Sequence, residues 1–156
     1  MKSKSTSSPT TQTASPELEA QQTVATYGTA PRRAAAEQIA RTRQGIPSAD
    51  LIETAKMIGM PRDRFYASVG LPKSTIEKNI GQQSRLSPAH GDRIYRVNRV
   101  FARAFEVLGD QDGAKLWIQR RNRSLGGVSP LSLLDTEVGY ELVLDTLGRI
   151  EYGIAA

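Results

Sequence analysis

Lys73, Ser74, Thr75, Lys78 and Asn79 crowd one short helical stretch, with Arg62 and Arg64 just upstream. Ammonium, hydroxyl and amide groups at this spacing do no bond-breaking chemistry. They suit hydrogen bonding to base edges in a DNA groove. The two guanidinium groups, with Arg41 and Arg43 earlier, suit phosphate contacts, which make affinity salt dependent. At the other end, Arg149, Glu151 and Tyr152 lead into Gly153, Ile154, Ala155 and Ala156. Segments beyond a last helix are usually polar and frayed. This one is apolar and nearly uncharged, which suits insertion into another molecule's pocket.

Other chemistry has little to work with. The chain has no cysteine and a single histidine, His90. Disulfides, thiolate zinc sites and cysteine nucleophiles are excluded, and one imidazole cannot build the usual multi-histidine metal shell. No Gly-x-Ser-x-Gly elbow precedes any serine that might pair with His90. Asp110 and Asp112 are the nearest thing to paired carboxylates, and their place at a helix start reads as capping. The expectation is a non-enzyme with no catalytic residue, no metal and no cofactor. No apolar run approaches the ~20 residues of a membrane helix, and no hydrophobic stretch follows Lys2 and Lys4 to make a secretory signal. A cytoplasmic protein without membrane partners is expected.

The net charge of +5 is unevenly spread. Residues 1–30 balance, residues 31–129 carry 18 basic against 9 acidic side chains, and residues 130–156 carry Arg149 against five carboxylates. A basic body favours a polyanion, while the acidic end points to a different partner. Either set can equally be a solvated surface.

Elements that would position these residues follow from apolar period and punctuation. Residues 1–30 are rich in Ser, Thr, Gln and Ala, and are expected to form a disordered tail. A first helix runs from Pro31 to Gly45. A second starts at Ser48 as N-cap and ends at Gly59, with Leu51, Ile52, Ala55 and either Met57 or Ile58 on one face. A third spans about 61–69 and a fourth about 73–80. Gly70 between them supplies the positive φ of a helix-turn-helix turn, and Phe65, Val69, Leu71 and Ile76 clamp the pair. An ordinary αα-hairpin would look the same. Two details depart from the motif. Tyr66 stands where a small residue is usual, and Ser74-Thr75-Ile76-Glu77 reads as a capping box that would delay the fourth helix.

The fifth helix is the longest, capped by Ser87 and opened by Pro88. Ile94, Val97, Phe101, Ala104, Phe105 and Leu108 line one side, and Arg96, Arg99 and Arg103 the opposite one. Gly91 interrupts its first turns at a cost of roughly 1 kcal/mol. A sixth covers about 111–119, its Trp117 serving the core rather than a partner. A basic loop holds Arg120, Arg121, Arg123 and the pair Gly126-Gly127, which reads as a close-approach turn or, less simply, an anion nest. The last helix runs from Thr136 to Tyr152, capped by Asp135, with Tyr140, Val143, Leu144, Leu147 and Ile150 at helical spacing. Glu137, Glu141 and Asp145 share another face, either solvated or facing a basic rim. Arg149 either pairs with Asp145 or meets a partner. The fold class is all-α, divided into a tail (1–30), a helix-turn-helix half (31–84) and a helical C-terminal half (85–156).

These residues, taken together, resemble the Xre–MbcA–ParS family of bacterial antitoxins over about Gly45–Ala156. The resemblance is carried by Arg85-Leu86-Ser87-Pro88 with Asp92-Arg93, by Ala104 to Asp110, and by Ala114-Lys115-Leu116-Trp117-Ile118. The most specific block is Leu125-Gly126-Gly127, Pro130-Leu131, Leu133 to Thr136, Gly139 and Gly148 to Gly153. The chain departs at His90-Gly91, at Arg120-Arg121-Asn122 and at Tyr152, where the family favours other residues. The resemblance implies an antitoxin whose C-terminal half packs on a NAD-degrading RES-type toxin. Residues Arg149 and Glu151 to Ala156 would block the cofactor entrance. It also implies an Xre-like half that binds operator DNA, through an inverted repeat if the protein dimerises or joins a larger hetero-oligomer with the toxin. A stand-alone transcriptional regulator with a dimerising or ligand-sensing C-terminal half is the alternative.

Overall fold

The computed structural model describes residues 32–153, so the expected tail and residues Ile154 to Ala156 lie outside the described residues. Among the described residues the elements are α1 (Arg32–Gln44), α2 (Ser48–Ile58), α3 (Arg62–Ser68), α4 (Lys73–Gly81), α5 (Pro88–Leu108), α6 (Gln111–Gln119) and α7 (Glu137–Glu151). Two short 3₁₀ turns, Arg123–Leu125 and Pro130–Leu133, connect α6 to α7. The chain is all-α, as its apolar period requires.

The 21 residues of α5, about 30 Å at 1.5 Å per residue, form the axis on which the rest is hung. α1 and α2 pack on it from the helix-turn-helix side, α6 and α7 from the other. Ile94, Val97, Phe101 and Ala104 are buried as their spacing demands, but so are Val100 and Ala102. A helix covered on more than one side has no fully solvated face. Two of the three arginines placed by sequence on the opposite side, Arg96 and Arg103, therefore meet α7. Arg96, only 15% exposed, bridges Asp92 at 2.5 Å and Glu137 at 3.1 Å. Arg103 holds Glu106 at 3.1 Å and also Glu151. The two arginines thus clamp the first and last turns of α7 to α5.

The hydrophobic core is continuous. Leu51, Ile58, Phe65 and Ile76 join Ile94, Val97, Phe101, Ile118, Leu131, Leu134, Val143 and Leu147 in one cluster, against which Trp117 packs partly buried. Thr54 of α2 donates to Asn98 Oδ1 of α5 at 3.0 Å, and Gln119 Nε2 of α6 donates to the Ile58 carbonyl at 2.8 Å. Ile39 in α1 is 52% exposed, so that helix contributes little to the core.

Several helix starts differ from the sequence expectation. Ser48 does not cap α2; it is buried and its Oγ donates to the Asn79 carbonyl at 3.3 Å, joining α2 to the end of α4. Asp135 does not cap α7; Thr136 does, its Oγ1 accepting from the Gly139 N–H at 3.1 Å. No capping box forms at Ser74, because α4 already begins at Lys73 and the Glu77 carboxylate is taken by Tyr66. At Ser48 and Glu77 a tertiary partner takes the side chain, whereas at α7 the cap shifts by one residue to Thr136. Ser87 and Asp110 cap α5 and α6 as expected, accepting from the His90 N–H at 3.3 Å and the Gly113 N–H at 2.7 Å.

Candidate nucleic-acid and protein-binding surfaces

α3 and α4 are joined by a turn in which Gly70 has φ +64, a left-handed conformation that a side chain would strain. Phe65, Val69, Leu71 and Ile76 are all buried around it. Tyr66 is accommodated rather than excluded. Its ring is buried, and its hydroxyl donates to Glu77 Oε1 at 2.9 Å. Burial first, and then the bond to Glu77, push the phenol up to about 12, so it remains a donor. Arg62 Nη1 stands 4.0 Å from the same carboxylate. A large residue at this position thus becomes a strut between the two helices. The turn is braced from outside as well, by a residue to which the sequence analysis assigned no contact. Arg93 of α5 donates from Nη1 to the Val69 carbonyl at 3.3 Å and to the Gly70 carbonyl.

Burying Ile76 turns Ser74, Thr75 and Lys78 outward, and all three are exposed, with no side-chain hydrogen bond among the described residues. Lys73 is exposed but engaged, its ammonium 2.8 Å from Asp63 Oδ2. The hydrogen bond to Asp63, and then the carboxylate's charge, hold Lys73 above its ordinary value. Arg64 is exposed and makes no ion pair among the described residues. Asn79 differs from the others, being half-buried where its carbonyl receives Ser48 and Ser84. The fold therefore gathers Ser74, Thr75 and Lys78 on one open helix face, with Lys73, Arg62 and Arg64 around it.

A second surface is built by α7. Its inner side buries Val143, Thr146 and Leu147. Gly139 sits on the preceding turn so closely that a Cβ would lie 2.0 Å from the Leu133 carbonyl oxygen. The outer side is open and apolar. Val138 is 75% exposed, Leu142 44% and Tyr152 78%. They are spaced to share one helix face with Asp145 and Arg149. Arg149 pairs with Asp145 at 3.0 Å while remaining exposed, so the intrahelical pair forms on the outer surface itself. Glu151 faces Arg103 and is half engaged. Gly153 is exposed with φ +66, and Ile154, Ala155 and Ala156 lie outside the described residues. Val138 and Leu142 were missed by sequence reasoning, although a pair four residues apart and off the buried stripe was visible there.

The loop before α7 is closed by backbone. Asn122 N donates to the Val128 carbonyl at 3.0 Å, and Gly127 N to the Asn122 carbonyl at 2.9 Å. Nothing lies within 4 Å of a Cβ added at Gly126 or Gly127, so this is not a close-approach turn. The glycines serve the left-handed backbone of the closure. Among the described residues no group of three or more His, Asp or Glu side chains is arranged to hold a metal, and no helix is long and apolar enough to cross a membrane.

The geometry defines a helix-turn-helix protein carrying a second helical unit with an apolar outer face. Residues 37–99 match the antitoxin Xre-like helix-turn-helix domain, and residues 103–153 match the antitoxin Xre/MbcA/ParS C-terminal toxin-binding domain. Antitoxin Xre of Yersinia enterocolitica is 30% identical over 109 residues, covering 69% of this chain and 74% of the relative. Antitoxin Xre of Photorhabdus laumondii is 35% identical over 88 residues, covering 56% and 60%. A Sphingobium protein named Prs ADP-ribosylating antitoxin is 22% identical over 134 residues, covering 80% and 84%. The chain belongs to the Xre/MbcA/ParS family of antitoxins. It combines a helix-turn-helix domain with a toxin-binding domain, α5 passing between them.

Proposed function

We propose that this antitoxin neutralises a RES-type, NAD-degrading toxin by seating the outer face of α7 and the following Gly153–Ala156 segment over the toxin's cofactor entrance. The observation that carries this is the row Val138, Leu142 and Tyr152, exposed on the helix of the toxin-binding domain. Exposed apolar side chains on one face, rimmed by charge, are the usual composition of a protein interface. Glu137, Glu141 and Asp145 beside them favour a partner with a basic rim, as a site for a dinucleotide requires. Inhibition of this kind is steric and asks for no catalytic group on the antitoxin. ADP-ribose transfer also uses NAD, so the name of the Sphingobium relative supports an NAD-consuming partner, and favours transfer as a second reading of the toxin's activity.

The helix-turn-helix is assigned to the operator of the protein's own operon, with repression as the result. Ser74, Thr75 and Lys78 face base edges, and Lys73, Arg62 and Arg64 face phosphates. A homodimer, or a larger hetero-oligomer with the toxin, would read an inverted repeat.

Co-expression with the toxin tests the first part. Removing Gly153–Ala156 is expected to abolish protection, with cellular NAD falling and growth stopping. Full protection by the truncated form would reject occlusion by that segment. Following ADP-ribosylated protein alongside free nicotinamide separates transfer from degradation. For the second part, Lys73→Ala with Lys78→Ala is expected to weaken binding to the promoter duplex. Intact binding would discard α4 as the reader.

A further inference from the structure

The three arginines of the α6 exit loop have no role so far. Arg120, Arg121 and Arg123 are exposed, and none forms an ion pair among the described residues. Neighbouring cations in the same domain behave otherwise. Lys115 pairs with Asp112 at 3.2 Å, Arg149 with Asp145 at 3.0 Å, and Arg103 with Glu106 and Glu151. Three uncompensated charges within four positions therefore make a concentrated positive feature among the described residues of the toxin-binding domain.

Their backbone is fixed in advance. Arg120 N donates to the Leu116 carbonyl at 3.0 Å, closing α6. Asn122 pairs with Val128 across the loop, and its side-chain oxygen accepts from Ser124 N at 2.8 Å. Leu125 is buried beneath. A ligand meeting these guanidinium groups would not have to order the chain that carries them.

Their position selects the ligand. Gln119, next to Arg120, is bonded to the Ile58 carbonyl at 2.8 Å, and Lys115 lies against Gly59. That is the end of α2, directly ahead of Pro61 and the start of α3. The first helix of a helix-turn-helix crosses the DNA backbone, and here it carries Arg62 and Arg64. The arginine loop thus begins one residue beyond the contact that ties α6 to the segment leading into that helix. The outer face of α7 asks for the opposite. Its carboxylates suit a basic partner rim, which three free arginines would repel.

We propose that Arg120, Arg121 and Arg123 form a second phosphate-binding surface, by which the toxin-binding domain itself grips DNA backbone flanking the site read by α4. Guanidinium forks suit phosphate oxygens and carry no base preference. This inference rests on the DNA-binding assignment of the helix-turn-helix. It adds a sequence-independent component contributed by the other domain, compatible with a toxin seated on α7.

Fluorescence anisotropy with full-length protein tests it, using a duplex from upstream of the protein's own gene and a shuffled duplex of equal length across a potassium chloride series. The Arg120→Gln, Arg121→Gln, Arg123→Gln protein should bind both duplexes about 10–100-fold more weakly near 0.1 M salt, with the slope of log affinity against log salt reduced by roughly 2–3. Its preference for the upstream duplex and its thermal midpoint should be unchanged. Lysine at all three positions should restore most of the slope. Lys73→Ala with Lys78→Ala should instead erode the preference. An unaltered slope and affinity in the glutamine protein, while the parent binds DNA, would overturn the inference and leave the helix-turn-helix assignment standing. A parent that binds neither duplex would overturn both. Loss of toxin capture with unaltered DNA binding would assign the loop to the toxin, and would equally overturn it.

Discussion

The helix-turn-helix and α7 present opposite kinds of surface on one core. Between α2 and α5 no large apolar side chain stands exposed, whereas the stretch from α6 through Tyr152 exposes Leu116, Val128, Val138, Leu142 and Tyr152. The first surface is polar and cationic, the second apolar and edged with carboxylates. Each carries one glycine on which its shape turns, for different reasons. Gly70 is needed for its φ of +64, and a Cβ there would crowd the flexible end of Arg93 at 3.1 Å and lie at ordinary contact distance, 3.7 Å, from the Asp135 Cβ. Gly139 has ordinary helical backbone but no room, with the Leu133 carbonyl 2.0 Å from where a Cβ would go. A DNA-reading turn is a problem of backbone conformation. A docked recognition helix is a problem of packing distance.

That contrast can be broken most forcefully at the glycines. Gly139→Ala must push backbone against backbone and is expected to cost about 3 kcal/mol, while Gly70→Ala should cost about 1–2 kcal/mol through left-handed strain. Urea unfolding of the two variants checks the order, and equal costs would refute the distinction. Next in size, Val138→Arg with Leu142→Arg should weaken toxin capture by at least 30-fold, about 2 kcal/mol. Binding to DNA should stay within twofold, since both side chains are exposed on α7, outside the helix-turn-helix. Titration of toxin and of promoter duplex against the same protein decides it. Tyr66→Phe removes the strut to Glu77 without opening a cavity, and should lower stability by about 1 kcal/mol in the same urea assay.

The smallest effect expected is a pH dependence. Burial, and then the charge of Arg93, hold His90 below its ordinary value of 6.5. Below that pH the unfolded chain binds more protons at this position than the folded one. Stability from the neutral imidazole is therefore present above pH 6.5 and lost as pH falls through the lower folded value. Unfolding curves for the parent and His90→Gln should diverge as pH falls from 7 toward 5, the parent losing more. Parallel curves would show that His90 contributes nothing.

Much of this was legible in the chain. Apolar spacing placed the helices, and Gly70 with Phe65, Val69, Leu71 and Ile76 marked the turn, because a φ requirement and a clamp are written in local residue types. Three capping assignments failed, two of them to a distant partner and one to the adjacent residue. Ser48, Glu77 and Asp135 were assigned by their neighbours in sequence. In the fold Ser48 bonds Asn79 and Glu77 bonds Tyr66, while Thr136 supplies the cap expected of Asp135.

What the sequence determined alone was the all-α class, the positive turn glycine, the charge asymmetry and the lack of any cysteine, all of which depend on composition and short-range period. Only the tertiary structure decided where charge goes. The sequence placed Arg96 and Arg103 on a helix and Arg120 and Arg121 in a loop without saying which would be paired, yet the first two became a clamp on α7 and the others stayed free. That choice depends on which helix packs over which face of α5, a distance between residues some 40 to 50 positions apart, as in Arg96–Glu137 and Arg103–Glu151. No local pattern encodes it.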